Sequence, residues 1–362
     1  MSKKKVLIVD DSRTVREMLS DIINSFEDFE VVGKAADPYE ARDMMKKVVP
    51  DIITLDVEMP KMDGLTFLDK IMRGIPLPVV MISSLTKENA SITLKALELG
   101  AVDYILKPSD GRTLSDIAHK IHEKLIIASQ IPKSWLNMHK YRKKDESLVE
   151  FARHTIKMVP VKGFRTMNAE TSLIVMGAST GGTVVIESIL SGLNSSKMPP
   201  ILIVQHIPPF FSKTFAERLD KLLPFNVFEA QNGLSVQTGD VVVAQGGKHL
   251  LVEKKQNGFG VIVKDGPRVN RHRPSVDVLF KSAAAVTGEN SIGVLLTGMG
   301  SDGAAGLDEV KKRGGITIVQ DRDECAVSGM PKSAIERGIV DKELDSKRIV
   351  DFINSIFMID FL

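Results

Sequence analysis

The sequence predicts an α/β protein of two domains, an N-terminal (βα)5 unit and a C-terminal unit with a β-hairpin, each on a doubly wound parallel sheet. Length is the first observation behind this: 362 residues suffice for about two ordinary domains. The second is an alternation of short apolar runs with amphipathic helical stretches, which occurs twice and weakens in between. The third is the placement of acids, glycines and hydroxyls directly after the apolar runs, at the strand ends where such sheets bind ligands.

In the first region, strands are expected at residues 6–9, 30–33, 52–55, 78–82 and 103–106. Between the first two, Val15, Met18, Leu19, Ile22, Ile23 and Phe26 recur at helical spacing behind Ser12, a suitable N-cap. Residues 129–170 carry Pro132, Pro160 and a basic cluster of Lys140, Arg142, Lys143 and Lys144, and are read as a linker with some helix near 148–156. The expected boundaries are therefore 1–128, 129–170 and 171–362. In the last region strands are expected at 173–176, 201–204, 292–296 and 316–319, with a hairpin turning at Asn257 and Gly258.

Composition excludes several classes. A net charge of +2 and the lack of a helix-turn-helix pattern argue against a nucleic-acid binder. No stretch approaches the ~18 apolar residues of a membrane helix, so no membrane insertion is expected. The apolar run after Lys3, Lys4 and Lys5 is too short for a signal peptide, and Cys325 has no partner for a disulfide. A soluble, cytoplasmic protein is expected.

Asp10 and Asp11 follow the first strand, Asp56 ends the third, Ser83 and Ser84 end the fourth, and Lys107 follows the fifth. Carboxylates gathered at one edge repel unless a cation joins them, and hard oxygen ligands suit Mg²⁺. A carboxylate that attacks a phosphoryl group needs that metal, a cation such as Lys107 and a donor such as the Ser83 hydroxyl. Helix capping would explain one such Asp, but not the whole ordered set. The segments LIVDDS, LDVEMPKMDG and LKP resemble the response-regulator receiver family. That resemblance implies phosphorylation at Asp56 by a histidine kinase. It also implies Mg²⁺ held by Asp11, Asp56 and the Glu58 carbonyl, with Asp10 acting partly through water, and a switch through Ser83 and Lys107.

In the second region the apolar run 173–176 enters Gly177-Ala178-Ser179-Thr180-Gly181-Gly182 and then an apolar helix. Strand, G-x-S-x-G and helix are the context of a nucleophile elbow, with helix N–H groups from Thr180 onward open to an oxyanion. A glycine-rich phosphate cradle could be built from the same residues. His206 follows the strand 201–204 on the same sheet edge and suits a general base. Asp302 follows the strand 292–296 and suits the acid that orients the imidazole, with an N-cap role as its alternative. The order Ser, His, Asp differs from that of the common α/β-hydrolases. His272 and Arg273 form a further polar group that could meet substrate, or simply belong to the cap of a helix near Ser275.

The stretches GASTGG, VQHIPP, RHRPSVDVLF and GMGSDGAAGL resemble the chemotaxis protein-glutamate methylesterase (CheB) family, whose hydrolytic domain follows a receiver as here. The resemblance implies that Ser179, His206 and Asp302 are nucleophile, base and acid, with the backbone near Met299 as an oxyanion donor. It implies hydrolysis of glutamate γ-methyl esters, and glutamine deamidation, on helical segments of methyl-accepting chemotaxis receptors, with no organic cofactor. A receiver-controlled adaptor whose glycine loop binds a ligand without catalysis is the alternative expectation.

Overall fold

A computed structural model describes residues 2–84, 86–107, 114–140, 165–256 and 258–357. Its contacts divide the chain into two units, Met1–Lys143 and Lys144–Leu362. Pro108, Asn257, the basic residues 142–144 and the helix expected at 148–156 lie outside the described residues.

The first unit alternates β1 (Lys4–Val9), α1 (Arg13–Asn24), β2 (Phe29–Ala35), α2 (Pro38–Met45), β3 (Ile52–Asp56), α3 (Gly64–Gly74), β4 (Val79–Ser83), α4 (Lys87–Leu99), β5 (Asp103–Leu106) and α5 (Leu114–Ser129). The strands pair in parallel in the order β2-β1-β3-β4-β5. β3 and β4 are buried along their whole length, which is why they read as unbroken apolar runs. The Ser12 hydroxyl accepts the Val15 N–H, and Leu19, Ile22 and Ile23 turn the apolar side of α1 into the core. A further helix, α6 (Lys133–Lys140), occupies part of the expected linker and contacts α3, with Trp135 and Leu136 buried. Its apolar residues are too few to register as a periodic pattern.

The second unit contains β6 (Leu173–Ala178), α7 (Gly182–Gly192), β7 (Ile201–Gln205), α8 (Phe211–Leu222), β8 (Asn226–Glu229), β9 (Ser235–Val236), β10 (Asp240–Val243), β11 (His249–Lys255) and β12 (Gly258–Lys264). It continues through α9 (Val276–Thr287), β13 (Ser291–Leu295), α10 (Ala304–Lys312), β14 (Ile316–Gln320), α11 (Gly329–Glu336), β15 (Lys342–Leu344) and α12 (Ser346–Phe357). Seven strands form a parallel sheet in the order β15-β14-β13-β6-β7-β10-β8. An antiparallel sheet, β11-β12-β9, contains the expected hairpin. β8, β10 and β15 were not expected; each is four residues or fewer and shows no alternation.

β6 is the central strand, and the chain moves to β7 on one side and later to β13 on the other. The carboxyl ends of these three neighbours form the switch point of the sheet, where ligands of such folds bind.

Candidate functional site

In the first unit the acidic residues converge as expected. Asp10, Asp11 and Asp56 each place an oxygen within 4.8 Å of the others. Lys107 Nζ donates to Asp56 Oδ2 at 2.7 Å and lies 3.3 Å from Asp10 Oδ2. Burial pushes the Asp56 carboxyl up to about 6, with the nearby Asp10 charge adding to the rise and Lys107 opposing it. Burial also raises Asp10, whose Oδ1 accepts the Ser12 N–H while the buried Oδ2 has only the Lys107 ammonium, at 3.3 Å and shared with Asp56. One lysine shared among three carboxylates is too little positive charge for this group, and the converging oxygens fit a divalent cation. Ser83 is buried, and its hydroxyl accepts from Thr93 at 2.8 Å, a partner the sequence did not suggest. The Glu58 side chain is exposed, which leaves only its backbone carbonyl for the expected ligand role.

In the second unit Ser179 follows β6 and His206 follows β7, in a register that pairs Ala178 with Gln205. Ser179 is half-buried and Asp302 is buried. The elbow is held from three sides: Ser179 N–H donates to Thr297 O at 2.9 Å, and its carbonyl accepts from Gly182 N–H at 2.9 Å and from Gln205 Nε2 at 2.7 Å. Gly181 has φ +78°, a conformation that glycine holds without strain. Thr297 is itself fixed, donating its N–H to Gln320 Oε1 and its hydroxyl to Thr180 O. The Thr180 side chain is buried, and Met299 is exposed on the turn before Asp302.

His206 Nε2 lies 2.9 Å from Asp302 Oδ2. Asp302 Oδ2 also accepts the Val276 N–H at 2.7 Å. Its Oδ1 accepts from Ser275 Oγ at 2.7 Å, Asn270 Nδ2 at 2.8 Å and Asp277 N–H at 3.3 Å. Burial would raise this carboxyl, yet the bonds from His206, Asn270 and Ser275 hold it well below the usual carboxylate range. An ionised carboxylate at Nε2 fixes the proton there, leaving Nδ1 as the basic nitrogen. Nδ1 is buried and has no hydrogen-bond partner. The ring is reversed relative to the usual triad, in which the acid takes Nδ1.

The remaining expected residues fall nearby. The His272 ring stacks on His206 with centroids 3.8 Å apart and planes 6° from parallel. Arg273 is exposed, and its guanidinium donates to Gly266 O at 2.6 Å, closing the loop between β12 and α9 on itself. Asn270 was missed as a functional neighbour, and Ser275 was expected only as part of a helix cap. Asp277 Oδ1 accepts the Gly303 and Gly306 N–H groups at 3.0 and 2.6 Å, so it anchors the start of α10 beside Asp302. His249 accepts the Ser275 N–H at Nδ1 and meets Pro267 O with Nε2, so it braces the same loop. Gln205, Thr297 and Gln320 were missed as well, although a polar residue closing a buried apolar strand was a readable signal.

The chain is similar to known proteins along nearly its whole length. A model of the response regulator receiver domain family matches residues 6–119, and one of the CheB methylesterase family matches residues 174–353. A protein-glutamate methylesterase/protein-glutamine glutaminase of Photorhabdus laumondii is 46% identical over 366 residues, covering 98% of each chain. The chain belongs to the CheB methylesterase family. Another relative of that description, from Geobacter metallireducens, is 47% identical over 345 residues, covering 93% of this chain and 92% of its own. The crystal structure of the CheB methylesterase catalytic domain of Thermotoga maritima is 37% identical with a TM-score of 0.50, covering 51% of this chain and 98% of that one.

The CheB-type elbow depends on a close approach. A Cβ on Gly298 would lie 2.8 Å from Ser179 Cβ and 2.2 Å from Met330 Sδ. Gly298→Ala is expected to displace the elbow or Met330 at a cost of about 1–3 kcal/mol, as other overpacked sites do. A lower melting temperature together with slower turnover is the expected result. Unchanged values of both would mean that the two segments separate easily.

Proposed function

We propose that this CheB-family chain hydrolyses glutamate γ-methyl esters, and deamidates glutamine, on methyl-accepting chemotaxis receptors through Ser179, His206 and Asp302. The observation that carries this reading is the His206–Asp302 pair at the sheet's switch point, with Nδ1 buried and uncommitted. His206 Nδ1 takes the proton as Ser179 Oγ attacks the side-chain carbonyl, and Asp302 stabilises the resulting imidazolium. Backbone N–H groups near Thr180 and Met299 are assigned to the oxyanion. The proton on Nδ1 then passes to the leaving methanol or ammonia, and water cleaves the acyl-serine to free glutamate.

The receiver, over residues 1–128, is assigned the control of the esterase, over 171–362, with a histidine kinase as phosphate source and the cytoplasm as the working place. Among the described residues no helix is long and apolar enough to cross a membrane. Phosphate on Asp56 acts by shifting a two-state surface, for which Lys107 and Ser83 are the expected readers. Methanol release from methylated receptor, with and without a small phosphodonor, tests the esterase and its control, and ammonia release tests the deamidation. Wild-type protein is expected to accelerate with phosphodonor and Asp56→Asn to stay slow. Equal acceleration of the two would remove Asp56 from the control.

Asp10, Asp11, Asp56 and the Glu58 carbonyl would hold Mg²⁺, which supplies charge neutralisation for phosphoryl transfer to Asp56. The pH dependence follows from Asp56. Its carboxyl is raised to about 6 in the folded protein, so ionising it costs stability, and the cost is complete above that pH. A cation offsets this cost only where Asp56 is ionised. Mg²⁺ is therefore expected to raise the melting temperature clearly at about pH 7.5 and much less near pH 5. Equal shifts at both would place the metal elsewhere.

A further inference from the structure

The segment between β12 and α9 touches both members of the acid–base pair. Val269 N–H donates to His272 O at 3.0 Å and His272 N–H donates to Val269 O at 2.9 Å, closing a two-residue hairpin. Its central residues, Asn270 and Arg271, have φ values of +51° and +67°. Two-residue hairpins of the I′ type require positive φ at both positions, where Asn is tolerated and Arg is rare. The strained conformation has two consequences. Asn270 Nδ2 reaches both Asp302 Oδ1 and Asp277 Oδ2, at 2.8 and 2.7 Å. The His272 ring lies flat against that of His206.

We propose that this hairpin positions the catalytic pair, with His272 holding the plane of the His206 ring and Asn270 holding Asp302. The proposal rests on the assignment of Ser179, His206 and Asp302 given above. The physical need is specific. An imidazole tied at Cβ and by one hydrogen bond at Nε2 can still rotate about the line between those points, because χ2 of histidine is broad and soft. That rotation would change the direction in which Nδ1 presents its lone pair, and so its ability to take the Ser179 proton, while leaving the bond to Asp302 nearly intact. A parallel ring at 3.8 Å centroid distance obstructs it on one face. The same π face lies beside the positive charge that forms on His206 in each acyl-transfer step, a favourable arrangement for a cation. His272 is thus a positioning residue and acts through His206 rather than on substrate.

Turnover and KM for methylated receptor, measured on the full-length chain with phosphodonor present, test this. His272→Ala is expected to lower kcat by on the order of 10-fold or more, as small displacements of reacting groups do, with KM unchanged. His272→Phe, which keeps the flat face and removes both nitrogens, is expected to restore most of the turnover. Asn270→Gly accepts the positive φ but deletes the amide, and is expected to lower kcat with the hairpin retained. If His272→Ala melts below the assay temperature, His272→Leu takes its place, filling the space without a planar face.

Wild-type kcat in His272→Ala or His272→Leu would overturn the proposal. A His272→Phe variant as slow as His272→Ala would overturn it too, by showing that the ring nitrogens act directly. Ser179→Ala in the same assay separates this from failure of the underlying reading. Turnover in that variant would sink the triad itself, whereas an inactive Ser179→Ala beside an unaffected His272→Ala would sink only the positioning role.

Discussion

Ser179→Ala and His206→Ala are each expected to lower methanol release from methylated receptor by on the order of 10⁶-fold, with the fold unchanged. Ser179 holds the elbow through its backbone, bonded to Thr297, Gly182 and Gln205, so losing the hydroxyl leaves those anchors in place. Loss of the His206 ring removes one donor from Asp302, which keeps Ser275, Val276 and Asn270. Because serine and histidine act in one step, removing either abolishes that step, and the effects do not multiply. The double variant is therefore expected to be about as slow as either single one. Independent, multiplying losses, or a folded single variant with wild-type turnover, would mean that the two residues do not work as a unit.

That Ser179, His206 and Asp302 could be placed at one sheet edge from the chain order has a simple cause. Each follows a buried apolar strand, and a parallel sheet gathers such positions at one edge whatever lies between them. The same logic brought Asp10, Asp56, Ser83 and Lys107 together. Strands β8, β10 and β15 escaped notice because so few residues carry no period, and their partners are set by the sheet rather than by local sequence. Helix α6 escaped for the opposite reason: Trp135 and Leu136 look like isolated apolar residues until α3 is beside them.

The surroundings of Asp302 were legible only in part. The motif around Ser275 marked the loop as polar, but no periodicity says that Asn270, Ser275 and the N–H groups of Val276 and Asp277 converge on a carboxylate far along the chain. The reversed ring of His206 was equally hidden. Which nitrogen meets the acid depends on how β7 and the 298–303 turn lie across the sheet edge, and the sequence of either segment leaves it open.

Asp302→Asn is expected to lower turnover by on the order of 10⁴-fold, the loss typical of an orienting carboxylate turned into its amide. It is also expected to change the acid stability of the fold. The Asp302 carboxyl is depressed in the folded protein, so its stabilisation is complete above the pKa of the unfolded chain. That stabilisation declines as pH falls below ~4 toward the lower folded value. The melting-temperature gap between wild type and Asp302→Asn should therefore narrow on acidification, and a constant gap would show that Asp302 is not held ionised. The catalytic loss has a more local origin. Oδ1 accepts from Asn270, Ser275 and Asp277, so in Asp302→Asn the amide oxygen would take that place and the NH₂ group would face His206 Nε2 and the Val276 N–H. Two N–H donors cannot share a bond. The imidazole must then present a lone pair at Nε2 and carry its proton on Nδ1, the nitrogen that has to receive the Ser179 proton. Turnover close to wild type in folded Asp302→Asn would mean that Nδ1 is not the base and that the His206–Asp302 pair serves the fold alone.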